Sequence, residues 1–159
     1  MNITLLVIGK IKESFLKDGV NEYLKRLSQY TKVDIIELPD EPIPDNPSQG
    51  EILRAITKEG DKLLSHISSS DHVITLDLNK KEYTSPDFAL YLQKKIDTFG
   101  NRIIFVIGGS YGLSDGIKSR ANDSFSLGKM TFTHQMTRVL LLEQIYRAFK
   151  INNHETYHK

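Results

Sequence analysis

Between Ile103 and Lys159 the chain gathers the residue types that can do chemistry. An apolar run, Ile103-Ile104-Phe105-Val106-Ile107, leads directly into Gly108-Gly109-Ser110-Tyr111-Gly112. Glycines in such a turn let backbone N–H groups come close to a ligand and accept positive φ. The turn is neither G-x-G-x-x-G nor a Walker A loop, so alone it reads as a structural turn first and a ligand loop second. The stretch Leu127-Gly128-Lys129-Met130-Thr131-Phe132 offers an apolar wall with backbone amides, suited to a flat heteroaromatic ring. Spacing alone would make it a plain strand-to-helix connection.

Downstream, His134 and Arg138 stand four residues apart, as do Glu143 and Arg147. A Glu four residues before an Arg stabilises a helix by about 0.3 kcal/mol and needs no catalytic role. Between the two pairs, Val139-Leu140-Leu141-Leu142 is apolar all round, so the helix is expected to be buried on more than one side. Charged neighbours of such a segment are partly desolvated, and their pairing then matters more. The chain closes on Tyr157-His158-Lys159. That is either a frayed, solvated tail or an aromatic, an imidazole and a cation able to stack on and contact an unstacked RNA base. His134, His154 and His158 raise the question of a metal, but they are read as forming no H-x-x-x-H or H-E-x-x-H pattern and as having no suitably spaced carboxylates, so no metal is expected. The acids form no carboxylate dyad, and Ser110 lacks the G-x-S-x-G elbow of the α/β hydrolases.

Composition narrows the setting. A chain of 159 residues fits one domain, 1–159, large enough for a real core. It has no cysteine, which excludes disulfides, thiolate catalysis and cysteine-based metal sites and fits a reducing cytoplasm. The N-terminus reads as a strand, not a leader, and no apolar stretch approaches the roughly 20 residues that span a bilayer. A soluble cytoplasmic protein is expected, with no membrane partner. The net charge of +1 argues against non-specific binding to DNA or RNA through counterion release. Its distribution is uneven: residues 1–99 carry 13 Lys/Arg against 16 Asp/Glu, whereas 100–159 carry 8 against 4. The basic excess falls on the segment with the candidate chemistry, although surface scatter would also produce it.

The elements that must position these residues alternate. Ile3 to Ile8 is a near-continuous apolar run, as in a buried parallel strand. Ser14 reads as the N-cap of a helix to about Gln29, with Phe15, Val20, Tyr23, Leu24 and Leu27 as its apolar face. Val33–Leu38 is a second strand, and Pro39–Pro47 holds four of the five prolines and must be a loop. Ser48 can cap a helix through Ile67. A third strand, His72–Leu78, ends beside Asp77, and Ser85-Pro86-Asp87 opens a helix to about Phe99 with Ser85 as cap. Arg102–Ile107 is the fourth strand, Ser114 to about Ala121 a short helix, and Ser124–Leu127 a brief fifth strand. A long helix then runs from His134 to about Lys150. This alternation predicts an α/β domain with a mostly parallel sheet flanked by helices. Ligands of open α/β sheets sit beyond the carboxyl ends of the strands, which brings Leu76-Asp77-Leu78, Gly108-Gly109 and the loop after Leu127 to one edge.

Taken together, several separated blocks resemble one family across essentially the whole chain. They are Ile107-Gly108-Gly109 with Gly112, Ser126-Leu127, Thr131 to His134, Arg138, Glu143-Gln144-Ile145-Tyr146-Arg147-Ala148 and Tyr157-His158-Lys159. The family is the single-domain ribosomal RNA large-subunit methyltransferase H family of the SPOUT, or trefoil-knot, class. The resemblance implies S-adenosylmethionine-dependent methylation of N3 of a pseudouridine in 23S ribosomal RNA, with the RNA expected within the ribosome. It also implies a deep C-terminal knot, a rare exception to ordinary topology, and a homodimer whose sites are completed near the interface. By position, Leu76, Gly108 and the Leu127–Phe132 loop (Leu127, Gly128, Lys129, Met130, Thr131, Phe132) would hold the cofactor. His158 is the candidate base, Arg138 or Arg147 the electrostatic stabiliser and Tyr157 the stacking platform, with Glu143 and His134 beside them. Thr133 and Thr156 stand where such sequences commonly have proline, and Lys159 where they have arginine; the loss of proline is expected to leave the loop and tail less pre-organised, and lysine for arginine to remove a bidentate phosphate contact. A non-catalytic RNA-binding or ribosome-assembly module, or a methyltransferase for tRNA, are the competing readings.

Overall fold

A computed structural model describes residues 1–158, leaving Lys159 outside the described residues. Five strands, β1 (Asn2–Ile8), β2 (Lys32–Leu38), β3 (His72–Glu82), β4 (Arg102–Ile107) and β5 (Asp123–Ser126), form one sheet in the order β2-β1-β4-β3-β5. Every pairing is parallel, so the sheet is wholly and not mostly parallel. The helices α1 (Ser14–Leu27), α2 (Gln49–Leu64), α3 (Ser85–Thr98) and α4 (Asp115–Arg120) provide the crossovers that parallel strands require, and α5 (His134–Asn152) follows the last strand.

The near-continuous apolar runs of β1 and β4 make sense as strands covered on both faces. Ile3, Leu5 and Val7 of β1, with Ile103, Phe105 and Ile107 of β4, face a core shared with α1, α3 and α5. The intervening Leu6, Ile8, Ile104 and Val106 face Leu63 of α2, Leu113 just before α4, and Ile117 of α4. Each such side chain contributes about 1.5–3 kcal/mol when fully buried. On the second face the helices α2 and α4 meet at Gly60, where a Cβ would lie 2.0 Å from Ser114 Oγ.

Helix starts follow local chemistry, with two shifts from expectation. Ser48 forms a full capping box with Glu51. Helix α1 starts at Ser14, but its cap position is Glu13, which makes no side-chain capping bond. Helix α3 is capped by Thr84, whose hydroxyl accepts from Asp87 N at 3.2 Å. Thr precedes Ser85 and Pro86 and takes the cap, releasing the Ser85 side chain for a tertiary bond. Strand β3 also runs beyond Leu78 to Glu82, because a bulge between Leu76 and Lys81 lets it rejoin β5.

Candidate active site

The carboxyl ends of β3, β4 and β5 open onto a cavity of about 1090 Å³. Leu76, Asp77 and Leu78 line it from β3, Gly108 to Gly112 from the turn after β4, and Ser126, Leu127, Gly128, Met130, Thr131 and Phe132 from the loop after β5. The three segments expected at one edge therefore meet in space. Lys129 alone of that loop does not line the cavity and is exposed.

Local bonding explains the shape of the walls. Gly109 and Gly112 pair across a tight turn, with Gly112 N donating to Gly109 O at 3.1 Å and Gly112 at φ +89. That fold-back brings Gly112 O so near Gly108 that a Cβ there would meet it at 2.8 Å, and Leu113 at 2.9 Å. Only glycine fits. The loop after β5 is stapled by buried Ser126, whose Oγ donates to Gly128 O at 2.7 Å. Thr133, where a proline had been the pattern, caps α5 by accepting from Met136 N at 3.2 Å. The pre-organisation that proline would give is replaced here by a hydrogen-bonded helix start.

Sequence reasoning missed several lining residues. Phe15, expected in the α1 core face, is 65% exposed and lines the cavity, while Leu16 takes the buried position. Tyr111 and Lys118 also line it, with Lys118 Nζ 3.7 Å from Asp77. The signal for Phe15 was slight: it neighbours the buried helical series Leu16, Val20 and Leu27 without belonging to it.

The candidate catalytic residues separate into two places. His134 lines the cavity at the first turn of α5 and packs on Gly9, where a Cβ would lie 3.2 Å from its Nε2. Burial, then the nearby Arg138 cation, lowers its pKa below the usual imidazole range. Arg138 is fully buried and does not line the cavity. Its Nη2 donates to Ile8 O at 3.0 Å and Gly9 O at 2.6 Å, and its Nη1 to Glu37 Oε2 at 2.7 Å.

Glu143, Arg147, Tyr157 and His158 come together further along α5. Arg147 holds Glu143 through Nε at 3.1 Å and through Nη2, and Tyr157 OH donates to the same Oε1 at 3.1 Å. The Arg147 guanidinium sits 4.7 Å from the centre of the Tyr157 ring, and its Nη1 lies 3.1 Å from His158 Nδ1. Glu143 raises the Arg147 pKa; burial, then bonds to Tyr23 and Glu143, raise that of Tyr157, which stays a phenol. The tail is turned back on the helix by His154 at φ +56, and Glu155 ties it to Tyr30 at 2.8 Å and Lys150 at 2.7 Å. From His134 to Arg147 is about 20 Å along a helix that rises about 1.5 Å per residue. In one copy the tail cluster therefore stands well away from His134.

Contrary to the expectation that no H-x-x-x-H or H-E-x-x-H pattern is present, the tail spells His154-Glu155-Thr156-Tyr157-His158, an H-E-x-x-H string. Such a string needs a helix to put both histidines on one face. Here α5 ends at Asn152, His154 is left-handed and Glu155 is engaged by Tyr30 and Lys150. Among the described residues no group of three or more His, Asp or Glu is placed to hold a metal ion.

A strand-end cavity with a glycine turn, a stapled loop and a long C-terminal helix matches a family model described as "Predicted SPOUT methyltransferase" over residues 1–158. The chain belongs to the SPOUT methyltransferase family. Curated relatives named "Ribosomal RNA large subunit methyltransferase H" from Bacillus cereus, Bacillus thuringiensis and Bacillus anthracis are each 51% identical to it over 160 residues, covering all of both chains. The parallel sheet and its helices are those of a SPOUT enzyme, and no helix among the described residues is long and apolar enough to cross a membrane.

Proposed function

We propose that this SPOUT methyltransferase uses S-adenosylmethionine to methylate N3 of a pseudouridine in large-subunit ribosomal RNA, acting on the ribosome as a homodimer with a knotted C-terminal segment. The single observation that carries the cofactor reading is the cavity built from three strand ends around a glycine that no other residue can replace. Its size suits a nucleoside-sized ligand. Leu76, Gly108 and the Leu127–Phe132 loop would hold the donor, which supplies a methyl group already activated on a sulfonium. The full-length relatives' shared name supports ribosomal RNA as the substrate class.

The acceptor N3–H is a weak imide acid, so the protein's task is to take its proton while holding the nitrogen in line with the methyl carbon. Orientation of this kind supplies roughly 7–11 kcal/mol. His158 accepts the N3 proton as the new N–CH3 bond forms and the S–CH3 bonding pair returns to sulfur; Arg147 stabilises the anionic base and Tyr157 stacks on it. Arginine can only donate, so its bond to His158 Nδ1 occupies the ring's basic lone pair and leaves the hydrogen on Nε2. The imidazole therefore becomes a base when the His158 side chain turns from Arg147 to the acceptor, with Tyr157 and Arg147 still held on Glu143. Arg138, latched to Ile8, Gly9 and Glu37, serves the architecture of the β1 end.

The separation along α5 and the exposed Phe15, Tyr111, Met130 and Phe132 around the cavity support a second copy bringing its tail to the cleft. Calorimetric titration with S-adenosylmethionine and mass spectrometry of ribosomal RNA from a deletion strain test donor and substrate. No heat of binding leaves a non-catalytic module, and an unmethylated tRNA position would redirect the substrate. Single-turnover methylation by His158→Ala at saturating RNA and donor tests the base; a rate within about threefold of the parent excludes it.

A further inference from the structure

A chain of side-chain hydrogen bonds runs from the first turn of α3 across α5 to the tail. Ser85 Oγ donates to Gln144 Oε1 at 2.7 Å, and Gln144 Nε2 donates to Glu143 Oε2 at 2.9 Å. The other Glu143 oxygen accepts from Tyr157 and Arg147, and Arg147 reaches His158. Neither Ser85 nor Gln144 has a place in the chemistry above.

The direction of each bond matters. A carboxamide presents an acceptor at one end and donors at the other, and rotation by half a turn exchanges them. The Glu143 carboxylate, which can only accept, selects the orientation with the amide nitrogen facing it, and this leaves the amide oxygen toward α3, where the Ser85 hydroxyl donates to it and anchors the side chain. In the opposite orientation the amide oxygen would face a carboxylate, two acceptors with no proton between them. Gln144 bonds Oε2 of Glu143, while Oε1 accepts from Tyr157 and Arg147, so the carboxylate is held from both oxygens. Ser85 is free for this because Thr84 caps α3. Both Ser85 and Gln144 also line a small cavity of about 240 Å³ that shares Ser126, Leu127 and Phe132 with the main one.

We infer that Ser85 and Gln144 are positioning residues: they fix the plane of the Glu143 carboxylate and, through it, the Tyr157 ring and the guanidinium that faces His158. The inference rests on the reading that the tail acts on the acceptor base. A misplaced catalytic group costs rate without costing donor affinity, and an error near 1 Å can cost about 100-fold.

The test uses the full-length protein with Ser85→Ala, Ser85→Thr and Gln144→Met. Methylation kcat should fall about 10- to 100-fold in Ser85→Ala and Gln144→Met. KM for S-adenosylmethionine and the unfolding midpoint should hold, and Ser85→Thr, which keeps the hydroxyl, should retain the parental rate. NMR ring signals of Tyr157 and His158 should move in the two deleterious variants and stay in place in Ser85→Thr. Unmoved ring signals in Ser85→Ala and Gln144→Met, or a rate loss shared by Ser85→Thr, would overturn the inference. If the parent transfers no methyl group to ribosomal RNA, the functional reading falls, and the ring signals still decide whether Ser85 and Gln144 position the tail.

Discussion

Replacing Arg138 by alanine tests whether this arginine is architecture or chemistry. Its guanidinium joins three elements: α5, from which it projects, the end of β1 through Ile8 O and Gly9 O, and β2 through Glu37. Glu37 Oε2 also accepts from Ile11 N at 3.1 Å, so one ion pair pins the connection between β1 and α1. Truncation leaves the two carbonyls without this donor, at about 1–3 kcal/mol for each group that stays unsatisfied. Glu37 adds less than a buried charge would, because its side chain is 36% exposed and can rehydrate. The lost packing of a fully buried side chain adds to the cost. Together about 3–5 kcal/mol is expected, a large share of the about 5–15 kcal/mol that holds a domain folded. With an m-value of about 4 kcal/mol/M, the guanidinium chloride midpoint falls by about 1 M. Arg138→Lys recovers part of the loss, since one ammonium cannot span all three acceptors. A midpoint unchanged to within about 0.2 M, combined with a methylation rate lowered a hundredfold or more, would refute the reasoning and return Arg138 to the chemistry.

Two further outcomes follow from the walls of the cavity. Glu59 is buried beside Gly109, accepts from Glu41 N at 2.9 Å and has its pKa raised chiefly by burial. Its folded form holds a proton that the unfolded chain releases, so stability falls as pH rises above the usual carboxylate range of about 4.3 and through the raised value. Glu59→Gln keeps the acceptor and removes the charge; its unfolding midpoint should exceed the parent's at pH 7.5 and match it near pH 4, and equal midpoints at both would contradict the sign. Gly108→Ala forces a Cβ to 2.8 Å from Gly112 O, a backbone atom that cannot swing aside. About 2 kcal/mol of strain should appear as a roughly 30-fold weaker Kd for S-adenosylmethionine in calorimetry, and a Kd within about twofold would mean that the turn is not donor-binding.

Much of the architecture was legible because it depends on patterns that local physics enforces. The apolar runs 3–8 and 103–107 have only one stable home, strands covered on both faces, and they became β1 and β4. Meeting of Leu76, Gly108 and Leu127 followed from the rule that parallel strands end on one side. What stayed hidden depended on choices between neighbours. Thr84 and Ser85 are both good caps, and sequence alone cannot say which is spared for Gln144. Arg138 and Arg147 are equally suitable cations in sequence, yet one projects into the β1 end and the other onto Tyr157. The H-E-x-x-H string in the tail has the letters of a metal site without the helix that gives them meaning.

Helix α5 makes sense of these divisions. Its first turn borders the cavity, Arg138 latches it to β1 and β2, its apolar middle is buried against α1 and α3, and its far end carries Glu143, Arg147 and the folded-back tail. A buried helix latched at one end is a stiff rod, so the distance between the cleft and the tail of one copy is fixed by the number of residues between them. Such a rod cannot bring its own two ends together. In the proposed homodimer it would hold a cleft and a tail at a constant spacing for a second, symmetry-related rod, so that each end would meet the other's complement. Catalysis that depends on position more than on strong acids or bases gains most from that arrangement. The Ser85–Gln144–Glu143 chain supplies the same rigidity on the scale of a single carboxylate.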